Sequence, residues 1–278
     1  MESTQALGDL KRTHSPSKTF TYFAVFVFIL FTAITGFIYF KAVIPVQEGT
    51  MNFSGDISIM YWVMAFIMIM ALVILITAVS LSKGNTYYLY ENGIVTEDKI
   101  GKKNQLFEDI QDLYLFSSGR TFVTNNIAFR NREENRWEVI TPRYTKELKA
   151  IEFITQQHQL INVPEYLKRL EAGGNVTFQY ISYNDAASKK LFALGTKSFL
   201  KVKPKDIVVY NDHLLIDNKN IMIADLSRFS TNNLMSKISL FDKDNKEVFS
   251  TATNGVFSGQ TFITLLDKLV TQHTGSLS

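Results

Sequence analysis

Cysteine is absent from the 278 residues of the chain, and this absence excludes several kinds of chemistry at once. Without thiols there are no disulfides, thiolate zinc sites, iron–sulfur clusters or cysteine nucleophiles. The fold must therefore be held together by its apolar core. A lack of cysteine agrees with a reducing compartment, although exported proteins without cysteine also occur.

The familiar motifs of catalysis and nucleotide binding are absent as well. The 4 histidines are scattered, with no H-E-x-x-H motif and no other metal-ligand spacing, and there is no G-x-S-x-G. The pair Gly173-Gly174 is not followed by Lys-Ser or Lys-Thr, and no G-x-G-x-x-G follows a strand pattern, so phosphate-binding loops of the usual kinds are excluded. We predict no catalytic residue, no cofactor site and no metal site.

The chain also lacks the strong positive charge of a nucleic-acid-binding protein. Its formal net charge is +3, whereas such proteins have a strongly basic domain or a basic stripe. We therefore expect no nucleic-acid partner.

Long apolar runs dominate the first third of the sequence. Residues 19–40 contain no charge and would form a helix of roughly 33 Å, about the thickness of the hydrocarbon core. A second uncharged run covers residues 57–82. We predict transmembrane helices at 19–41 and 57–82, joined by an extracytoplasmic loop at 42–56. A cleaved signal peptide is the alternative for the first run, but its apolar core would be only about 7 to 15 residues long.

The residues around these runs predict their orientation. Basic residues flank the outer ends of the pair, at Lys11, Arg12 and Lys18 before it and at Lys83 and Lys99 after it, whereas the predicted loop begins with Lys41 alone. Lysine and arginine accumulate in cytoplasmic flanks, so both termini are expected in the cytoplasm, with residues 1–18 forming a polar tail. Ionisable residues are missing from both runs, which favours an anchor over an ion pathway.

After Lys83 the pattern changes to short alternating strands followed by a helix, and then the same order recurs. The first set ends in helical patterns at about 145–160 and, after Pro164, up to Leu170; the second ends in a helix at 259–273. Strands and helices in separate runs indicate an α+β fold. We predict two related units at residues 84–174 and 175–274.

The strand sequence Leu106-Phe-Glu-Asp-Ile-Gln-Asp-Leu-Tyr114, in a meander that is closed by an amphipathic helix and follows a helical hairpin, resembles bacterial membrane proteins with pleckstrin-homology-like (PH-like) domains. The second unit has an echo in Ile221-Met-Ile-Ala-Asp-Leu226, but it departs from the pattern at residues 185–204. The resemblance implies two tandem PH-like units, each an antiparallel, partly open barrel closed by a C-terminal helix. It also implies a bacterial inner membrane location and a binding or scaffolding role.

Two basic segments are candidate contact sites for anionic lipid headgroups or a protein partner. One is a strand-connecting loop, and the other is a stretch in which lysines alternate with apolar residues. Such a charge run is also typical of a solvated connector, and that alternative stays open. The candidate residues are Lys99, Lys102 and Lys103 in the loop, and Lys189, Lys190, Lys197, Lys201, Lys203 and Lys205 in the stretch.

The isolated carboxylates and histidines have structural interpretations. Asp109, Asp112 and Asp225 occupy corresponding places in the two units, which favours turns or salt links over acid–base chemistry. His158 and His273 lie on the apolar faces of the closing helices, where partly buried rings with satisfied nitrogens are expected.

The sequence therefore predicts a non-enzymatic, membrane-anchored binding or scaffold protein. Its expected partners are the bilayer, anionic lipid headgroups, and a membrane or cytoplasmic protein. The alternatives are a membrane-bound enzyme and an accessory or regulatory subunit of a transporter.

Overall fold

The structure is a computed structural model that describes residues 6–117, 124–133, 136–182, 200–232, 237–252 and 254–274. The chain divides into two compact units. One is a helical hairpin, Ser15–Thr86. The other, which we call the body, combines the described residues of Met1–His14 with those of Tyr87–Ser278.

The hairpin consists of two helices that are long and apolar enough to cross a membrane. Helix α1, Thr19–Ile38, continues through a π-helical turn, Tyr39–Val43, and a final α-helical turn, Ile44–Gln47; helix α2 is Ser58–Leu81. Part of the predicted loop is therefore helical. The π turn ends two residues before Pro45, which has no N–H and whose ring would clash with the carbonyl group four residues earlier, within that turn, so a locally widened turn accommodates it.

Small side chains lie where α1 and α2 pack together. Ala24 and Ala71 are fully buried and Ala78 is 1 % exposed. The hydroxyl of Thr21 donates to the carbonyl oxygen of Ala78 at 3.3 Å. Small residues let two helix backbones approach closely, which strengthens van der Waals contact where no hydrophobic effect operates.

The described residues of the first half of the body form two antiparallel sheets and one helix. Strands β1–β4 form a four-stranded sheet in sequence order, a 3₁₀ turn follows, and β5–β7 form a three-stranded sheet before helix α3. The bounds are β1 Leu10–His14, β2 Thr86–Tyr90, β3 Gly93–Glu97, β4 Lys102–Leu106, the turn Phe107–Asp109, β5 Asp112–Phe116, β6 Asn126–Arg130, β7 Glu138–Ile140 and α3 Glu147–Glu171.

The described elements of the second half follow the same order. A four-stranded sheet, a 3₁₀ turn, a three-stranded sheet and a helix succeed one another, which agrees with the α+β class. The bounds are β8 Val176–Tyr180, β9 Lys205–Val209, β10 His213–Ile216, β11 Lys219–Met222, the turn Ile223–Asp225, β12 Leu226–Asn232, β13 Lys237–Asp242, β14 Glu247–Ala252 and α4 Gly259–Thr274.

The repeated acidic sequence is the 3₁₀ turn between the two sheets of each half. Phe107 and Ile110 in the first half, and Ile223 and Leu226 in the second, are at most 3 % exposed. The backbone N–H of Phe107 donates to the carbonyl of Asn92, and that of Ile223 donates to the carbonyl of Asp212. The motif therefore marks a turn at which two apolar residues enter the core.

The N-terminal segment contains a strand that the interpretation as a polar tail missed. Strand β1 pairs with β2, and Leu7 just before it is fully buried. Gly93 makes room for it, because a Cβ atom there would lie 2.7 Å from Cδ2 of Leu7 and 2.5 Å from the carbonyl oxygen of Gln105. The segment therefore completes the first sheet.

Helix α3 is one continuous helix, so the predicted break before Pro164 is wrong. Proline removes one backbone donor, which leaves the carbonyl of Leu160 without its usual partner. The side chain of Leu160 is 66 % exposed, so this turn of the helix borders solvent, where water satisfies such a group. The helix ends before Gly173, whose φ of +81° suits a left-handed C-terminal cap.

The two halves pack against each other through an apolar cluster with side chains from both. Tyr114 and Phe116 of β5 contact Phe257 and Ile181 of the second half, and all four are at most 3 % exposed. The backbone N–H of Ser258 also donates to the carbonyl oxygen of Leu113 at 2.7 Å. The body is therefore one compact unit.

Candidate functional site

One end of the sheet β1–β4 is where the chain passes to and from the helical hairpin. Strand β1 ends at His14 and four residues separate it from α1, while four residues separate the end of α2 from Thr86, where β2 begins. The antiparallel register pairs His14 with Tyr87, so the two connections leave the sheet side by side. We call this the helix-linked end of the sheet.

The β3–β4 hairpin brings its tip to the same end. Strands β2 and β3 are neighbours joined by only two residues, Glu91 and Asn92, so β3 runs antiparallel to β2 and ends beside its start. The tip is residues 98–101. The sequence-predicted loop is thus a tight hairpin, with Lys99 in its tip and Lys102 and Lys103 at the start of β4.

The tip is held by its own hydrogen bonds. A carboxylate oxygen of Asp98 accepts the N–H of Ile100 at 2.7 Å and that of Gly101 at 3.0 Å, and these bonds lower the pKa of Asp98. The N–H of Asp98 in turn donates to the carbonyl of Gly101 at 3.0 Å. The side chain of Ile100 is 95 % exposed, so an ordered turn displays an apolar residue at its apex.

The lysines of the hairpin have different surroundings. Lys102 Nζ lies 3.8 Å from a carboxylate oxygen of Glu97 and 5.1 Å from the ring centroid of Tyr88. Glu97 also accepts the hydroxyl of Tyr88 at 2.6 Å. Lys103, the next residue of the strand, projects from the opposite face of the sheet. Lys99 and Lys103 are exposed.

A second basic segment reaches the helix-linked end from the start of α3. Nδ1 of His14 donates to the carbonyl oxygen of Thr145 at 2.8 Å, and the ring of Tyr144 lies 5.4 Å from that of Tyr87. These contacts place the β7–α3 connection beside the ends of β1 and β2. We call residues 141–149 the β7–α3 segment, or second basic segment, and it carries the exposed side chains of Arg143, Lys146, Leu148 and Lys149.

Sequence reasoning did not identify this second segment as part of a site. Its basic residues are separated by polar and apolar ones, and about forty residues lie between it and the hairpin tip. Arg136, just before β7, is also nearby, because its Nε lies 3.4 Å from a carboxylate oxygen of Glu138, which accepts the hydroxyl of Tyr87. The strand register, the His14–Thr145 hydrogen bond and the Tyr87–Tyr144 ring contact bring these segments to one end of the sheet.

The predicted lysine stretch belongs to the second half and is only partly described. Lys189, Lys190 and Lys197 lie outside the described residues. Lys201 and Lys203 are exposed, and Lys205 begins β9 with its Nζ 3.0 Å from a carboxylate oxygen of Asp217. The structure therefore puts the two sets of candidate lysines in different sheets of different halves, and Lys205 has a structural partner.

Asp112 is buried between the two halves and is engaged in ion pairs. Its side chain is fully buried, with one oxygen 2.9 Å from Nε of Arg130 and the other 2.7 Å from Nη2 of Arg132. The two arginines also donate to the second half, Arg130 to the side chain of Gln179 and Arg132 to the carbonyl of Thr177, each at 3.0 Å. The interpretation of Asp112 as a salt link agrees with this geometry.

His158 lies in the same interface and is fully buried. Its Nε2 is 2.8 Å from the carbonyl oxygen of Ile110, which can only accept, so Nε2 carries the proton and Nδ1 accepts the hydroxyl of Thr261 at 2.8 Å. Burial lowers the pKa of His158 to about 4. The ring is satisfied, as expected, although it lies in the middle of α3 and not at a helix end. Within the described residues, no three His, Asp or Glu side chains are grouped to hold a metal ion.

The sequence matches no known family model, and no curated protein is significantly similar to it. Interpretation of the site therefore depends on its geometry.

Proposed function

We propose that this is a two-pass protein of the bacterial inner membrane, whose cytoplasmic body is a non-enzymatic binding or scaffold module. The observation that carries the proposal is the pairing of β1 with β2. One strand precedes the two apolar helices and the other follows them, yet they are neighbours in one sheet. Two crossings return the chain to the side on which it started, which is what this pairing requires.

The distribution of basic residues supports a cytoplasmic body. Lys11 and Arg12 lie in β1, and Lys18 directly precedes α1. Lys83 follows α2, whereas Lys41 lies within the π turn near the other end of the hairpin. Short basic flanks stay in the cytoplasm.

The order of elements supports a PH-like architecture for each half. Four antiparallel strands, three antiparallel strands and one closing helix occur in the first half and again among the described residues of the second. We propose that both halves are partly open barrels of the PH-like type. Folds of this kind host many functions, so the function is inferred from the surfaces that the body presents.

Binding is favoured over catalysis by the state of the buried ionisable groups. Asp112 is neutralised by two arginines, and both ring nitrogens of His158 are hydrogen-bonded. A cavity of about 230 Å³ near the far end of the first sheet has Glu108 as the one ionisable residue in its described lining. Catalytic sites usually combine a pocket with several perturbed ionisable groups. An enzyme or a transporter subunit remains the alternative proposal.

Site-specific labelling tests the topology, and the chain needs no background substitutions because it contains no cysteine. Three variants would each carry one cysteine: Asp9→Cys and Asp244→Cys in the body, and Met51→Cys between the helices. In intact bacterial cells a membrane-impermeant maleimide should label Met51→Cys alone, and the other two only after permeabilisation. Labelling of Asp9→Cys or Asp244→Cys from outside would overturn the proposal.

A further inference from the structure

We propose that the helix-linked end of the body is a docking surface for anionic phospholipids of the membrane that holds α1 and α2, with Ile100 inserted at the boundary between headgroups and acyl chains. This inference rests on the proposed two-pass function and adds a ligand class and an inserting residue to it.

Chain connectivity limits how far this end can lie from the bilayer. Residues 15–18 join β1 to α1, and residues 82–85 join α2 to β2. Four fully extended residues span at most about 14 Å. Because the β3–β4 tip is at the same end of the sheet as His14 and Thr86, it is held within reach of the headgroup region.

The exposed side chain of Ile100 suits this location. An isoleucine that is 95 % exposed at a turn gains nothing from folding in water, because it buries almost no apolar surface. The hydrogen bonds of Asp98 nevertheless hold the turn that displays it. Insertion at a membrane interface would remove the apolar surface from water, as it does for the apolar faces of interfacial helices. Leu148, 52 % exposed in the second basic segment, is a further apolar contact.

The charges around Ile100 are complementary to anionic headgroups. The exposed cations are Lys99, Lys102 and Lys103 of the hairpin, Arg136 before β7, and Arg143, Lys146 and Lys149 of the β7–α3 segment; of these, Lys102 lies 3.8 Å from Glu97 and Arg136 lies 3.4 Å from Glu138. The acidic residues of these elements have partners within the protein: Asp98 accepts its own loop amides, Glu97 accepts the hydroxyl of Tyr88, and Glu138 is buried beside Tyr87. Glu147 is half-buried. The cations therefore dominate the outer surface.

This combination favours lipid over a protein partner. The basic and apolar side chains come from two separate segments that meet at the sheet end from which both membrane connections depart. Basic residues around an inserted apolar side chain bind anionic lipid by combining burial of apolar surface with electrostatic attraction. The membrane is also the surface to which the chain is already tethered.

The test uses the full-length protein in lipid nanodiscs. A polarity-sensitive fluorophore is attached to Ile100→Cys or, as a matched control, to Asp109→Cys, an exposed position in the turn beyond the far end of β4. Lipids with a nitroxide near the headgroup should quench the probe at residue 100 severalfold more than the probe at residue 109. Quenching at residue 100 should weaken when phosphatidylglycerol is replaced by phosphatidylcholine.

Charge reversal completes the test. Combining Lys99→Glu, Arg143→Glu and Lys146→Glu in the Ile100→Cys background should reduce the quenching to the level seen in phosphatidylcholine discs. Equal quenching at residues 100 and 109 would overturn the inference, and so would quenching that is independent of anionic lipid. Either result can occur while the cysteine labelling still supports a two-pass topology, so failure of the docking surface is distinguishable from failure of the proposed function.

Discussion

Nδ1 of His158 and Oγ1 of Thr261 lie 2.8 Å apart and join α3 of the first half to α4 of the second. The other ring nitrogen bonds the carbonyl of Ile110, so one imidazole holds three segments together. Gln159, the next residue, adds a parallel hydrogen bond to Thr264 at 2.8 Å. The interface between the halves therefore depends on a neutral histidine.

This arrangement predicts that the body loses stability in mild acid. The folded-state pKa of His158 is about 4, below the ordinary value of 6.5, so protons bind more readily to the unfolded chain. The contribution of the neutral ring is complete above about pH 6.5 and is lost as the pH falls toward 4, with a total of about 3 kcal/mol for a shift of this size. The hydrogen bond to the carbonyl of Ile110 and, after it, the nearby charge of Asp112 oppose this lowering of the pKa but are smaller effects.

Unfolding of the purified protein in detergent, followed between pH 7.5 and 4.5, would measure this dependence. His158→Gln should flatten it, because the titrating group is gone. His273→Gln is the matched control, since that imidazole is exposed at the end of α4. A wild-type stability that does not fall over this interval would contradict the prediction.

Replacement of Asp112 should be among the most damaging changes in the body. Asp112→Asn leaves the guanidinium groups of Arg130 and Arg132 without their buried counter-charge, and removing one member of a buried ion pair typically costs about 3 to 5 kcal/mol. Asp109→Asn, an exposed carboxylate in the adjacent 3₁₀ turn, should change the free energy of unfolding by about 0.5 kcal/mol or less. Denaturant titration of both variants compares them, and similar losses would show that the ion pairs are not responsible.

The helical hairpin and the α+β class could be predicted because their signals are local. An uncharged run of membrane-spanning length is visible in the sequence itself, and the second predicted span, 57–82, differs from α2 by one residue at each end. The first helix extends beyond its predicted end at Lys41, because that end was placed where the uncharged run stops, whereas the helix continues through a π turn and a final α-helical turn that contains Pro45. A π turn depends on the whole helical context and has no local signal in the sequence.

Strand β1 was not predicted from the sequence because its partner strand, β2, is far away along the chain. The segment Leu10-Lys-Arg-Thr-His14 has little alternation, and its exposed side chains are mostly polar. The residues that pair with it, 87–90, come after the whole helical hairpin. A pattern within a short stretch of sequence cannot predict pairing between strands that are separated by more than 70 residues.

The candidate site was only partly predictable for a similar reason. Lys99, Lys102 and Lys103 are close in sequence and were identified as a patch. Arg143 and Lys146 are brought beside them by the register of β1 with β2 and by the contacts of Thr145 with His14 and of Tyr144 with Tyr87. The exposure of Ile100 depends on the hairpin turn, which sequence alone leaves open.

The N-terminal segment should matter to the stability of the body even though it precedes both apolar helices. Leu7 is fully buried against Gly93, so Leu7→Ala should cost about 2 to 4 kcal/mol through lost burial and a new cavity. Leu10→Ala removes the same groups from a side chain that is 50 % exposed and should cost about 0.5 kcal/mol or less. Denaturant titration tests the pair, and equal effects would mean that Leu7 is not part of the core.

Packing between α1 and α2 should depend on small residues at their contact. Ala78 is 1 % exposed, so Ala78→Leu forces extra volume into the helix interface and should destabilise it by about 1 to 3 kcal/mol. Ala65→Leu, on an exposed face of the same helix, is the control. The readout is the free energy of unfolding of each variant in detergent, which should be about 1 to 3 kcal/mol lower for Ala78→Leu than for Ala65→Leu; equal values would show that Ala78 does not limit how closely the helices pack.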